Sequence, residues 1–515
     1  MIQEKLRLVT RYLTAPAKGR HLHLLFAISL YGLFLSWYYI FFDVTFFHGL
    51  NNHDSGDGYW QFLPFEVLRA RPLESLLYLH SRPPLGNALL ALGFQIGLGP
   101  RILILWNHLA AFVLVYYAIR FCFYASGERR IGYLLSVSFL YGISLNLLAY
   151  LSDMLYSLST AALVTAFAWH AFILLHRPAP DRSARKWDLI LAIVFGGLLS
   201  LQRSTYGLPL FTLIGVLIFL RLGLADALRF GLGVAAPVLL WSFKNLLVFG
   251  FFSSTTLFGM TIYFNAGQNM FLIERRTSPE WLAVTERIGQ ERPDLAPLLR
   301  GSMLKVSEYE KAGLQIEADE SLAAVPALMR HEKDHWWGAS NKNTYEYIQI
   351  SRKFSEVSQL LIRYYPENYL LNVGYAAYQF MKPAWMYQQT VNPTWNTHPH
   401  LFEVYRLPHQ DRWAAQTLRV NVSHGWDLFV YAFPVVLLVL TLLILRPATR
   451  GREAYILILL ICAVATAGGL LFTHAENMRY KFEIEPLVRA LYLGWIGYGI
   501  VYLTERFYLR QENRS

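Results

Sequence analysis

From Asn51 to Gly86 the chain reads NNHDSGDGYWQFLPFEVLRARPLESLLYLHSRPPLG, and the residues in it that could do chemistry are His53, Asp54, Asp57, His80 and Arg82. Asp54 and Asp57 stand three residues apart around a glycine-containing turn. Carboxylates held beside lipid take raised pKa values and could act as a base on an acceptor hydroxyl, or could hold a divalent cation. Taken alone, the pair fits an Asx-turn with two solvated carboxylates better than a catalytic site. In His80-Ser81-Arg82-Pro83-Pro84-Leu85-Gly86 an arginine precedes a proline-started helix, so a guanidinium fork and helix N-terminal amides meet at one place, which suits a phosphate. An interfacial arginine that merely snorkels reads the same way.

Three later positions carry charge at the ends of apolar runs. Asp153 sits in NLLAYLSDMLYSLSTAAL and Arg203 in LQRSTYGLPL, each between two runs long enough to cross a bilayer. His474 to Pro486, HAENMRYKFEIEP, places Glu476, Arg479, Tyr480 and Lys481 just before the last run. Ionisable groups at a membrane boundary need water or a partner, and Arg479 with Lys481 asks for an anion: a substrate or lipid head groups. Capping and topology supply the bland reading of Asp153 and Arg203.

The elements that would position these residues follow from composition. Hydrophobic residues make up 55% and charged residues only 16% of 515, and the mean hydropathy is +0.30. That is too apolar and too long for one soluble core, so a polytopic, mainly α membrane protein is expected. The formal charge of +11 lies in short clusters between apolar runs, as topology determinants do, and not along one face as in a nucleic-acid binder. Cys122 and Cys462 both lie in or beside apolar runs, so no disulfide staples the polar part. The basic N-terminus precedes an apolar run from about His21 to Phe42 without a small-residue cleavage site, which reads as a signal anchor.

Apolar runs of spanning length begin near residues 22, 102, 131, 156, 187, 206, 227, 426, 454 and 487. The run Leu85 to Leu98, after Pro83-Pro84, is too short to cross and reads as a juxtamembrane helix. About ten transmembrane helices then put the Lys/Arg-rich loops Ser126–Arg130, His176–Lys186, Arg221–Arg229 and Arg446–Arg452 on the cytoplasmic side, with both termini. The opposite, extracytoplasmic face receives the first outer loop (43–86), Asp153, Arg203 and His474–Pro486. Three parts result: an N-terminal transmembrane module (1–250), a mostly helical extracytoplasmic domain (251–425) and a C-terminal transmembrane module (426–515). Within the middle part, Ser278-Pro279-Glu280 is a helix-start signal, and the segment from Ser351 to Met381 has helical spacing with a proline interruption.

Two short motifs carry less. His331-Glu332-Lys333-Asp334-His335 matches the zinc-protease helix H-E-x-x-H, but no third ligand follows at a matching spacing. Asn421-Val422-Ser423 is a lone glycosylation sequon.

The order of these features resembles the GT-C superfamily of integral-membrane glycosyltransferases, in particular the branch of protein O-mannosyltransferases and lipid A aminoarabinose transferases. The resemblance covers roughly the first 250 and last 90 residues: an acidic first outer loop, x-Pro-Pro-Leu-Gly before a short helix, an outer Asp, an outer basic residue, and Arg-Tyr-x-x-x-x-x-Pro entering the last span. It implies transfer of a sugar from a polyprenyl-phosphate donor to a lipid, glycan or protein acceptor, in a bacterial inner membrane with the site facing the periplasm. It implies that Asp57 or Asp54 is the catalytic carboxylate, that Arg82, with His80 beside it, contacts the donor, and that Arg203, Arg479 and Lys481 supply further cationic contacts. His53, Asp153, Glu476 and Tyr480 are further active-site candidates, and a divalent cation could be held by Asp54, Asp57 and Asp153. Relatives carry an Asp-Glu pair where this chain has Asp57-Gly58, which leaves open which aspartate is the base. Membrane lipids are expected partners; nucleic acid is not. The competing function is a transporter or flippase of a lipid-linked or anionic substrate.

Overall fold

The computed structural model describes residues 12–16, 20–41, 62–151, 156–176, 182–267, 278–299, 306–317, 319–330, 342–381, 428–446, 449, 451–471 and 477–512. Among these the chain is helical, with no strand and one isolated bridge between Pro16 and Arg129. We label the helices of the bundle α1 (Arg20–Phe41), α2 (Phe65–Ala70), α3 (Pro72–Leu77), α4 (Leu85–Gln95), α5 (Arg101–Ala125), α6 (Ile131–Leu151), α7 (Ser157–His176), α8 (Arg182–Gln202), α9 (Leu208–Leu222) and α10 (Leu224–Phe249).

Five helices in the described residues are long and apolar enough to cross a membrane: α5, α7, α10, Arg452–Leu471 and the stretch Tyr480–Phe507 of the last helix. The other expected runs also form helices, and two of them, α8 and α9, fall short of that standard over their described residues. In α8 the cause is Arg185, Lys186 and Asp188 in the first two turns. In α9 it is length: 15 residues rise about 22 Å, against the roughly 30 Å of a hydrocarbon core. The helix after Pro83-Pro84, α4, has 11 residues and is too short to cross, as its sequence predicts.

The bundle is organised around α7. Ninety-four per cent of its spanning window is buried, so it is a central helix with no lipid-facing stripe, and it packs against α5, α8 and the last two helices, Arg452–Leu471 and Asn477–Glu512. A helix apolar all round is what such a position requires.

The polar middle of the chain has its own core, built on Trp281, Ile288, Leu298, Tyr309, Phe354 and Leu361. Its helices are α11 (Phe258–Ala266), α12 (Pro279–Glu291), α13 (Ala296–Leu299), α14 (Val306–Lys311), α15 (Glu320–Ala323), α16 (Glu346–Tyr364) and α17 (Pro366–Met381). The Ser278 side chain caps α12 by accepting from Trp281 N. In α16 the residues Tyr347, Ile350, Phe354, Val357 and Leu361 recur every three or four positions and are buried together. The expected proline break falls between α16 and α17, because Pro366 cannot continue the first helix but suits the start of the second.

Helix α17 leads back to the bundle, where α18 (Leu428–Leu445), α19 (Arg452–Leu471) and α20 (Asn477–Glu512) pack on it and on one another. From Tyr480 to Leu491 every residue of α20 is buried, including Lys481, Glu483, Glu485 and Arg489. Four charges in buried helix turns demand partners, and these partners define the candidate site.

Candidate functional site

The site lies at one end of the bundle, where α4, the start of α5, the end of α6, the start of α7, the end of α8 and the start of α20 meet. The first outer loop rejoins the described chain at Phe62. Leu63 N donates to the Asn87 side-chain oxygen at 2.9 Å, and Asn87 is 1% exposed. A Cβ at Gly86 would stand 3.2 Å from the Phe62 ring, so the glycine lets that ring pack tightly on the first turn of α4. The Pro-Pro-Leu-Gly motif therefore works partly as a seat for the loop, and Arg82, half-buried, stands at its entry.

His80, expected to touch the donor, is placed otherwise. Its side chain is fully buried at the junction with the middle domain, with Nδ1 2.9 Å from the Thr256 hydroxyl and Nε2 2.9 Å from the Asn343 carbonyl. A carbonyl only accepts, so Nε2 carries the proton and Nδ1 accepts from Thr256. Burial, reinforced by the nearby Lys244 charge, drives its pKa down to about 3, so the ring is neutral. Asn343 completes the joint: its Oδ1 accepts from His80 N (2.8 Å) and Ser81 N (3.0 Å), and its Nδ2 donates to the carbonyls of Tyr78 (2.9 Å) and Ala327 (3.2 Å). In the fold His80 is a strut between loop and domain.

Arg203 follows the last turn of α8. Its Nε lies 2.9 Å from Glu483 Oε1, with side-chain exposures of 5% and 0%. Tyr206 donates to the other Glu483 oxygen at 2.9 Å. The guanidinium carbon is 4.0 Å from the centre of the Tyr480 ring and 5.4 Å from that of Tyr156. A carboxylate neutralises the cation and two aromatic rings lie against it, contacts that suit a planar guanidinium better than a lysine ammonium. Burial and the adjacent Glu483 raise the Tyr206 pKa well above its usual value, so the phenol keeps its proton and donates. Gly468 lets Tyr480 come this close, since a Cβ there would meet its ring at 3.1 Å.

Glu485, on the other side of the same turn, pairs with Arg489 (Nε–Oε1 2.7 Å), which also donates to the Gly142 carbonyl at 3.1 Å. Lys481, expected at a phosphate, is fully buried against α17 and α18. It donates to the Met381 carbonyl at 3.3 Å and its ammonium lies 4.7 Å from the Phe429 ring centre. The sequence reading thus missed Glu483 as the partner of Arg203. Its signal was present: two acids beside Lys481 in a stretch entering an apolar helix, each needing a cation.

Next to Arg203 lies a small crevice of about 10 Å³, partly open, within about 240 Å³ of empty space. Phe62, Gly86, Trp106, Asn107, Tyr156 and Gln202 line it. Asn107 donates to the Tyr150 carbonyl at 3.1 Å and so caps the end of α6. Trp106, Asn107 and Gln202 were not foreseen, since a neutral polar residue in an apolar run gives little signal in sequence.

The structure thus brings together Arg203, Tyr480, Tyr156 and the seat of the first outer loop, and leaves His80 and Lys481 in separate contacts. His53, Asp54, Asp57, Asp153, Glu476, the Arg479 side chain, the His331–His335 motif and the Asn421 sequon lie outside the described residues. Among the described residues no three metal-ligating side chains cluster, and the cation candidates Asp54, Asp57 and Asp153 all fall outside them. What the described arrangement does is hold a planar cation against a carboxylate and two aromatic rings, beside a small, mainly apolar crevice. The chain matches no family model, no curated protein and no solved structure.

Proposed function

We propose that this chain is a GT-C-type membrane glycosyltransferase, crossing the bilayer ten times and moving a sugar from a polyprenyl-phosphate donor to an acceptor at the extracytoplasmic face. In this reading the membrane is a bacterial inner membrane. The observation that carries it is Arg203: a buried guanidinium against the rings of Tyr480 and Tyr156, close to a small crevice lined in part by Tyr156 and by Gly86 of the Pro-Pro-Leu-Gly motif.

A guanidinium has five N–H donors, enough to serve Glu483 and a phosphate together. Arg203 and Arg82 hold the donor phosphate, while Asp57 or Asp54 takes the proton from the acceptor nucleophile. The bond from the anomeric carbon to the phosphate oxygen breaks as the bond to the acceptor forms. The polyprenyl phosphate leaves as an anion stabilised by the two arginines. The tail of the donor stays in lipid, so no nucleotide-binding glycine loop is needed.

A transporter of the same substrate is the second reading. It draws on a buried chain far from the crevice: Tyr117 Oη lies 2.7 Å from His170 Nε2, and His170 Nδ1 lies 2.8 Å from Asp188. His170 is about 20 Å along α7 from Ser157, deep among the spans where transporters keep ionisable groups. Mass spectrometry of lipids that co-purify in mild detergent separates the two when combined with turnover: a bound polyprenyl-phosphate sugar that is converted to free polyprenyl phosphate supports the transferase. A lipid that crosses vesicle membranes unchanged overturns it.

A further inference from the structure

Two of the groups lining the crevice are left without a partner among the described residues. Gln202 is 4% exposed, and its Nε2 donates to the Ser159 hydroxyl at 2.9 Å, but its Oε1 is buried and accepts nothing there. Trp106 lines the same crevice, and its indole N–H is buried and donates to nothing there. Buried polar groups are paired in the great majority of cases, and leaving one unpaired costs about 1–3 kcal/mol. Both residues line one crevice, so an orphan acceptor and an orphan donor in its walls describe the kind of group that would satisfy them.

The chemistry of that occupant follows by elimination. An ammonium only donates, so it would satisfy Gln202 Oε1 and leave the indole N–H orphaned. A phosphate or carboxylate oxygen only accepts, so it would satisfy Trp106 and leave Gln202 orphaned. A hydroxyl donates and accepts at once, and its size suits a crevice of about 10 Å³, roughly one water-sized group. We infer that Gln202 and Trp106 form a hydroxyl-reading subsite, in which one sugar hydroxyl of the ligand donates to Gln202 Oε1 and accepts from Trp106 Nε1.

Its place supports this. Tyr156 lines the crevice and its ring centre lies 5.4 Å from the Arg203 guanidinium carbon, so a hydroxyl in the crevice and a phosphate on the guanidinium would be neighbours, as the two ends of one glycosyl phosphate are. Sites that hydrogen-bond a hydroxyl reject analogues lacking it strongly, because both protein groups are again left unpaired. The subsite is thus a specificity device, and its link to catalysis rests on the transferase reading above.

The test measures binding to the purified full-length protein in nanodiscs, with farnesyl phosphate and with farnesyl phosphates of glucose, mannose and 4-amino-4-deoxyarabinose as probes. Trp106→Phe keeps the ring and removes the donor; Gln202→Met keeps the length and removes the acceptor. Each is expected to weaken the best glycosyl probe about tenfold, the loss of one neutral hydrogen bond, and to leave farnesyl phosphate binding unchanged. Monodeoxy versions of that sugar should include one that binds the parent as weakly as the variants and gains nothing from restoring either side chain.

Equal weakening of farnesyl phosphate and its glycosides in both variants would make the pair structural and overturn the subsite. No gain in affinity from any sugar would leave a buried water as the occupant and overturn it as well. A preference for the amino sugar that persists in Trp106→Phe would replace the hydroxyl by an ammonium. If instead the glycosides bind and depend on both residues while no transfer occurs, the subsite stands and the transferase reading falls.

Discussion

Arg203 and Glu483 form an almost fully buried ion pair, Nε to Oε1 2.9 Å, that ties the end of α8 to the start of the last helix. Removing one partner of such a pair leaves an uncompensated charge and typically costs about 3–5 kcal/mol. Glu483→Gln and Arg203→Met should each lower the unfolding temperature in detergent, whereas Arg203→Met with Glu483→Leu should recover most of it, since two apolar groups leave no buried charge. Farnesyl phosphate binding should be lost in Arg203→Met and stay lost in the double variant. Retained binding in the double variant would remove Arg203 from the phosphate site.

Arg203→Lys separates charge from shape. A lysine keeps the charge but cannot lie flat between Tyr480 and Tyr156 or serve a carboxylate and a phosphate with one plane. Phosphate affinity is expected to fall by about an order of magnitude, with the fold preserved, as read by circular dichroism and titration with farnesyl phosphate. Wild-type affinity in Arg203→Lys would mean that only the charge matters.

Asn343 satisfies four backbone groups of the loop and domain with one side chain. Asn343→Leu orphans those groups and should loosen the joint by a few kcal/mol, at about 1–3 kcal/mol per buried unpaired group, offset by relaxation. Limited proteolysis should cut between the first outer loop and the middle domain faster in the variant. An unchanged cleavage rate would show that the joint is held elsewhere.

The same joint predicts a pH response. His80 is neutral in the fold with a pKa near 3, against 6.5 in an unfolded chain, so folding favours the deprotonated form. Its contribution is fully present above about pH 6.5 and is lost progressively as pH falls from there toward 3. Melting temperature should therefore decline more steeply over that window in the wild type than in His80→Gln, whose amide does not titrate. Parallel curves would exclude His80 as the source.

How much of this was legible follows from where the signals lie. The apolar runs, the proline-started α4, the Ser278 cap and the break before Pro366 are local patterns, and local patterns read directly from sequence. Arg203 was legible as an out-of-place charge. Its partner was not, because Glu483 lies on the last helix and no sequence rule pairs residues across the bundle. His80 shows the opposite limit: a histidine beside Pro-Pro looks like a ligand, and only the approach of Thr256 and Asn343 from the middle domain reveals a strut. Trp106 and Gln202 carry no charge, so only a shared crevice brings them to notice.

The central claim is transfer at the outer face driven by a loop carboxylate, and its most direct test is turnover of a polyprenyl-phosphate sugar by purified protein in nanodiscs, with a membrane extract as acceptor source. Asp57→Asn keeps size and most hydrogen bonds but cannot take a proton. Release of polyprenyl phosphate should fall by about 10²–10⁴-fold, the usual range for loss of a general base, with donor affinity unchanged. Asp54→Asn run alongside assigns the base to whichever variant loses more. Full turnover in both would contradict the account.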